Sequence, residues 1–427
     1  MKEAFLHFVW RFQYFDKKEL KSECGEKVEI LSTGNYNTDS GPDFLNAKVK
    51  IGKITWVGNI ELHINASSWY SHNHQKDPAY ENVILHVVWQ NDRAIYRKDG
   101  SVIPSIALKD KIEKGLLIRY AAFLVTDKTA LPCKTALKAM PSIIKISMLE
   151  KALMERLKRK ADEILERNEK NKGDWEETCY QQLCSNFGFK INSAPFLRLS
   201  GALPFKLLKK HKDKLSQIEA LLFGQSGFLE RSFSTHYLQE LQKEYSFLSH
   251  KYALEGTKLK DREWKFLRLR PANFPTLRLA QLASILQKTD SVYSLLVEAE
   301  KPEAITRVLA SLPSGYWKNH FTFEKEIKNK ENKIGKESLV NIVINSAVPL
   351  MVAVGEEKGQ QELIEKAVWF LTLLPAENNR IIRNWAAVGV EIKDAADSQG
   401  SIELFNCFCK NRLCLNCNIG HAVIKPR

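Results

Sequence analysis

No stretch of the chain holds 18 consecutive apolar residues, the length at which a run reads as a membrane span, so no span is expected. The amino terminus also lacks a small-residue cleavage site. MKEAFLHFVWRFQYF is rich in aromatics but interrupted by Glu3, His7 and Arg11. It reads as a buried amphipathic helix over residues 2–16 rather than a secretory signal, and the expected compartment is the cytoplasm. No fixed-period repeat runs through the 427 residues, which argues against a solenoid. Acidic residues are in deficit: 50 Asp+Glu stand against 64 Lys+Arg, a formal net charge of +14. A basic excess allows a polyanionic partner, because phosphate neutralisation and counterion release supply much of a nucleic-acid binder's affinity. Solvated surface decoration accounts for the same excess equally well.

What is present is the material of a folded protein, with 44% hydrophobic and 27% charged residues. Gly34–Pro42 is a dense turn signal. Two apolar-alternating runs follow, 44–51 and 54–64, separated by Gly52-Lys53. In the second, Ile54, Trp56, Ile60, Leu62 and Ile64 share one parity, and Thr55, Asn59, Glu61 and His63 the other. That period of two predicts a strand with one buried face. Residues 83–89, VILHVVW, read as a fully buried strand. Beyond about residue 140 the period becomes helical: Leu149, Leu153, Leu157, Ile164 and Leu165 trace one face of a helix over 142–169. Asp174 is a candidate N-cap for a helix ending near Gly188, and Pro275 opens another. The expected fold class is α+β: a small mixed α/β domain over 1–110, a larger all-α domain over 111–400, and a Cys-rich tail over 401–427 packed on the helical domain.

Metal-dependent phosphodiester hydrolysis needs carboxylates that converge on one hard cation, with a basic side chain near the attacking water. Gly41-Pro42-Asp43-Phe44 heads one strand, and Gly58-Asn59-Ile60-Glu61-Leu62-His63 lies on its partner. Glu61 and His63 have the same parity and so share a face. An odd number of residues in the Gly52-Lys53 turn sets Asp43 opposite Glu61. An even number sets it opposite Leu62 and separates the pair. A turn-capping Asp and a strand-surface Glu are the alternative reading of the same residues. His72, His74 and His86, with His63, Glu61 and Asp77, also compose a donor set suited to zinc, manganese or iron. His86, inside an apolar strand, equally suits a hydrogen-bonding core role.

Asp43, the hairpin, Glu61-x-His63, a following helix and an apolar strand resemble the core of PD-(D/E)XK nucleases over roughly residues 1–110. Pro42-Asp43 matches the first half of the motif, whereas His63 stands where that family usually has Lys. Gln75 and Tyr80 stand where some of its members carry a Gln…Tyr pair. The resemblance implies Mg²⁺ or Mn²⁺ at Asp43 and Glu61, with His63 orienting or deprotonating water. Over its whole length the chain resembles a bacterial family of unknown function, through SGPDF, GNIELH, SSWYSHNH, VILHVV, DWEETCYQQLCSNFGFK, IEALLFGQSGFL, RLRPANFPTLRLA and the terminal Cys cluster.

Arg156, Lys158, Arg159 and Lys160 place a basic stripe on the long helix, and Arg268, Arg270 and Arg278 flank a Pro-rich turn. Folded onto one side they would track a phosphate backbone; taken singly each run is a solvated helix face. Cys407-x-Cys409-x4-Cys414-x2-Cys417, with His421 close behind, predicts a metal knot. Zinc suits such a set, with His421 able to replace one of the tight Cys407/Cys409 pair, and an iron–sulfur cluster would also accept four cysteines. The expected function is a metal-dependent nuclease or nucleic-acid-processing protein, with nucleic acid as partner and no membrane. The alternatives are a non-catalytic nucleic-acid- or protein-binding scaffold on a degenerate nuclease fold, and a His-rich zinc hydrolase.

Overall fold

The first helix, α1 (Glu3–Arg11), buries Phe5, Leu6, Phe8, Val9 and Trp10. It is shorter than the expected 2–16 because Gln13 turns into the left-handed region at φ 53°. The chain then builds a six-stranded sheet in a computed structural model that describes residues 2–125, 127, 130–328 and 331–426. Its strands are β1 (Val28–Ser32), β2 (Asn35–Tyr36), β3 (Phe44–Ile51), β4 (Ile54–Asn65), β5 (Val83–Gln90) and β6 (Ser105–Ala107). The order is β1-β3-β4-β5-β6, with β2 pairing the start of β3. β1, β3 and β4 run antiparallel, whereas β5 is parallel to both β4 and β6. A parallel step needs a crossover. Here it is α2 (Ser68–Ser71) followed by two single 3₁₀ turns, His74–Lys76 and Pro78–Tyr80.

β5 is buried from Val83 through Val88, as a continuous apolar run between two parallel neighbours should be. β4 departs from the expected alternation. Ile54 and Val57 on its first half are 59% and 63% exposed, while Glu61 and His63 are 5% and 1% exposed. The first half belongs to the projecting β3–β4 hairpin. The second lies between β3 and β5 with α1 and α2 packed on it, so residues of both parities lose contact with water.

The β3–β4 turn is even. Ile51 faces Ile54 across Gly52-Lys53, and this register runs unbroken to Ala47↔Gly58. Continued, it would set Asp43 opposite Leu62. Instead the register shifts, and Phe44 pairs with Ile60. Leu45 and Asn46 together oppose Asn59, which is a β-bulge, and the extra residue brings Asp43 level with Glu61. Asn46 takes φ 57°, and its N–H donates to Asn59 Oδ1 at 3.3 Å. The bulge thus reverses the consequence of the even turn.

Contacts divide the chain into two compact units. One comprises Met1–Met148, Asn384–Val390 and Glu403–Arg427; the other comprises Leu149–Arg383 and Glu391–Ile402. Composition suggested boundaries near 110 and 400 with the tail on the helical part. Contact density groups α3 (Lys114–Leu124) and the Cys-rich tail with the sheet: Phe5 stacks on Tyr120 at 4.9 Å, and Arg119 Nε donates to Ile424 O at 3.0 Å. The second unit is mainly helical and carries the hairpin His320–Thr322/Lys325–Glu326. Its helix Trp175–Phe187 is capped by Asp174, whose Oδ1 accepts from the Glu177 N–H at 3.0 Å. Lys336–Lys358 is the one stretch among the described residues long and apolar enough to cross a membrane, and 78% of its window is buried inside the protein.

Asn46 holds a backbone conformation that β-branched residues avoid. Asn46→Val should therefore destabilise the protein by about 1–2 kcal/mol, and Asn46→Gly by a few tenths at most, measured by urea denaturation. Equal costs for the two substitutions would show that the bulge does not need the left-handed residue.

Candidate metal centre

β4 supplies Glu61 and His63, the bulged head of β3 supplies Asp43, and the crossover supplies His72 and His74. The carboxylates clasp one another through backbone: the Asp43 N–H donates to Glu61 Oε2 at 3.1 Å, and the Leu62 N–H donates to Asp43 Oδ2 at 2.9 Å. The other Glu61 oxygen, Oε1, faces imidazoles, with His74 Nε2 at 3.3 Å and His63 Nε2 at 3.6 Å. His63 Nε2 is also 3.1 Å from His72 Nδ1. One nitrogen from each of His63, His72 and His74 lies within 4.8 Å of the others, the spacing of ligands around a single ion. His86 holds His63 from behind, Nε2 to Nδ1 at 2.8 Å, as a second imidazole that orients the first. His72 is exposed, so the donor set opens to solvent on one side.

Burial is the main electrostatic cause here. It lowers His63 to about 2 and His86 to about 3, with neighbouring imidazoles adding to the effect. It lowers His74 as well. These rings are neutral at physiological pH, the state in which imidazole binds a cation. For the same reason His63 is a poor proton acceptor and a good ligand. Burial, then the charge of Asp43, pushes the Glu61 carboxyl up to about 9. Burial also raises Glu3.

Of the accessory residues, Tyr80 stacks on His74 with ring centroids 3.8 Å apart, and burial followed by the Glu61 and Asp43 charges pushes it up to about 12. Gln75 Oε1 is buried without a hydrogen-bond partner. Asp77 caps the Pro78–Tyr80 turn by accepting the Ala79 N–H at 2.9 Å, although its charge still reaches His74.

Two residues that the motif did not mark belong to this cluster. His7 Nε2 stands 3.3 Å from Asp43 Oδ2. Burial alone would lower His7, but its contact with Asp43, helped by Glu3 and Glu61, outweighs burial and raises it. Glu3 interacts with His7, Asp43 and His72. The available signal was their i, i+4 spacing, which puts two polar side chains on one face of an otherwise apolar helix. Beside His7 lies a cleft of about 210 Å³ whose lining includes Lys2, Arg11, Tyr36 and Arg412.

The expected phosphate-tracking residues do not all reach the surface. Arg278 is 2% exposed, donates to Gln281, Asn273 and Ser338, and lies over the Phe189 ring. Its apolar helix, buried from Pro275 to Leu286, carries it inside, away from any phosphate-tracking surface. Lys160 donates to Asn345 Oδ1, and burial lowers it to about 7. Arg156 donates to Gln399 Oε1 at 2.7 Å. Lys158 pairs with Asp162 and Glu356, and Arg159 with Glu163. Arg268 and Arg270 are exposed. In the tail, Cys409, Cys414 and Cys417 are buried, while Cys407 Sγ donates to Glu403 Oε1 at 3.0 Å. His421 bonds to Tyr14 OH at 2.5 Å and packs among Phe8, Phe12 and Tyr14.

Fold and site define a mixed α/β protein whose sheet carries a cluster of imidazoles and carboxylates able to hold a metal ion. The chain belongs to the DUF2851 family, described as a protein of unknown function, whose model matches residues 3–380. No curated protein and no solved structure matches it. The matched span contains every candidate residue of the sheet and stops short of the Cys-rich tail.

A carboxyl raised by folding stabilises the native state below its unfolded pKa, and that contribution is lost as the pH rises through its folded value. For Glu61 the window runs from about 4.5 to about 9. In EDTA, Glu61→Gln should therefore be more stable than the parent at pH 8, by on the order of a few kcal/mol, and gain little at pH 5. A difference that stays constant between the two pH values in urea unfolding would remove the buried-charge assignment.

Proposed function

We propose that this protein is a metal-dependent hydrolase of phosphodiester bonds, with nucleic acid as the substrate. The observation that carries the reading is the convergence of Glu61 with His63, His72 and His74, beside Asp43. The donor set is mixed imidazole and carboxylate, which suits manganese, iron or zinc better than magnesium. A divalent cation bound there would polarise a phosphoryl oxygen and acidify a bound water. Glu61, His63, His72 and His74 are its ligands in this reading, and Asp43 completes the site from β3.

His7 supplies the positive charge that the nuclease motif ordinarily takes from Lys. It lies against Asp43 and borders the cleft, and its contact with Asp43 favours its protonated form. Lys2 and Arg11 offer that cleft cations for a phosphate, and Tyr36 offers a ring on which a base can stack. The order of carboxylate, hairpin, Glu-x-His strand, helical crossover and apolar parallel strand supports the same reading.

A second reading keeps the centre and changes the substrate: a zinc hydrolase acting on a small molecule, favoured by the three-imidazole set alone. The two separate on one assay. Purified protein with Mn²⁺, Zn²⁺ or Mg²⁺ is offered labelled single- and double-stranded DNA and RNA. Cleavage that needs Mn²⁺ or Zn²⁺, and that falls at least about 100-fold in Glu61→Ala and in His7→Gln, supports the first. Zinc bound at the histidines with no cleavage of any nucleic acid would leave only the second. Salt-dependent binding without hydrolysis or bound metal would leave a non-catalytic scaffold.

A further inference from the structure

Two of the segments that sequence singled out, DWEETCYQQLCSNFGFK and RLRPANFPTLRLA, play no part in the nuclease reading, and they meet where Arg278 lies over Phe189. The Arg278 guanidinium is 2% exposed, and all its partners are uncharged. It donates to Gln281 Oε1 at 3.0 Å, Asn273 Oδ1 at 2.6 Å and Ser338 Oγ at 3.2 Å, and lies 4.7 Å from the Phe189 ring centre. Its Nε donates to nothing among the described residues. Burial alone lowers it to about 10, and no carboxylate among the described residues offsets it. A buried cation left without an anion is costly, and an anion supplied from outside relieves that cost.

Arg278 does not reach the surface itself, but three of its partners do. Phe189, Asn273 and Ser338 line a cleft of about 410 Å³, within the roughly 300–1,000 Å³ range of small-molecule sites. The cleft also takes in the amino terminus of the helix Lys336–Asn345, whose third residue is Ser338. No side-chain bond from its N-cap residue, Gly335, closes that terminus, so its first N–H groups are left for a ligand, and the helix dipole favours a negative one. The amides around the cleft are turned the same way. Asn273 gives its oxygen to Arg278, and Asn378 gives its oxygen to Arg383 Nη1 at 2.9 Å. Asn379 gives its oxygen to the Ile381 and Ile382 N–H groups at 2.9 and 3.1 Å. Guanidinium and backbone N–H groups can only donate, so what each amide has left is its NH₂ group. Ser338, having accepted from Arg278, keeps its hydroxyl proton to give. Two carboxylates share the cleft and narrow the choice of ligand: Glu377, which accepts from Asn341 Nδ2 at 3.2 Å, and Glu337, which is exposed. They repel a polyanion such as a nucleic-acid strand and accept from hydroxyls.

We propose that this cleft binds a small molecule carrying one phosphate group and several hydroxyls. The phosphate takes the helix N–H groups, the Ser338 hydroxyl and the Asn273 and Asn378 amides, with the Arg278 charge behind them, and the hydroxyls meet Glu377. All these residues belong to the helical unit, and the site stands independently of the reading given to the histidine centre.

The test uses the full chain in EDTA and phosphate-free buffer, titrated calorimetrically with glucose monophosphate, inorganic phosphate and glucose. The expectation is a single site that takes glucose monophosphate, takes inorganic phosphate more weakly and ignores glucose. Asn378→Asp puts a like charge beside the phosphate and should weaken binding at least about tenfold, whereas Glu337→Gln removes one and should strengthen it about threefold. Both positions are exposed, so these changes spare the fold even where Arg278→Gln does not. Arg11→Gln, in the cleft beside His7, leaves this binding intact. An absence of binding at about 10 mM glucose monophosphate, equal affinities in Asn378→Asp and Glu337→Gln, or loss on Arg11→Gln would each overturn the assignment. Displacement of glucose monophosphate by short single-stranded DNA would overturn the choice of a small molecule.

Discussion

Two carboxylates held side by side in a sheet that water barely reaches set the terms for everything around them. Asp43 and Glu61 are locked by reciprocal backbone hydrogen bonds, so neither can swing away to relieve repulsion. Glu61 is 5% exposed and cannot rely on solvent. A buried charge must be neutralised, paired or supplied with a cation. Protonation answers the need when nothing else is bound, which is why Glu61 titrates so high. His7 answers part of it from α1 by pairing with Asp43. The imidazoles of His63, His72 and His74 turn donor nitrogens toward the same place, and burial keeps His63 uncharged. Such an arrangement costs stability in an empty site and is the kind that sites of function retain.

How much of this was legible depends on whether the signal was local. The Asp174 cap, the Pro275 start and the buried strand at Val83–Val88 are written in a few adjacent residues, and they lie where sequence places them. Asp43 and Glu61 were legible as residue types, but their meeting was not. It depends on one extra residue at Leu45–Asn46, and Asn at φ 57° carries no mark that separates it from any other Asn in a strand. Period-two reasoning failed at Glu61 and His63 because it assumes that polar residues face water, whereas here they face one another. Glu3 and His7 were visible only as interruptions of an apolar helix, and nothing local told that helix to lie along β4.

Charge was the least legible property. The net +14 suggested a phosphate-tracking surface on the helices, yet Arg278 is drawn inside, Lys160 is half-buried, and both are spent on side-chain hydrogen bonds. A cation's place in sequence does not reveal whether its helix is buried on one side or all round, and the helix that carries Arg278 is buried along most of its length. The cations that line a cleft next to the carboxylates, Lys2, Arg11 and Arg412, come from the two ends of the chain and form no run at all. Only the fold makes them neighbours.

In the proposed reading His63 stands where the nuclease motif carries Lys, and that difference can be understood on the same footing. A lysine two residues after Glu61 would have to bury its ammonium where His63 is now 1% exposed, among His72, His74 and His86. That ammonium would repel any cation brought to the imidazoles. A histidine there can stay neutral and bind instead. The positive charge then has to come from elsewhere, at a point nearer solvent and nearer Asp43, and α1 brings His7 to that point. In the proposed reading, one residue's two duties are divided between two: His63 holds the metal, and His7 carries the charge. The division is consistent because burial drives His63 down while Asp43 holds His7 up.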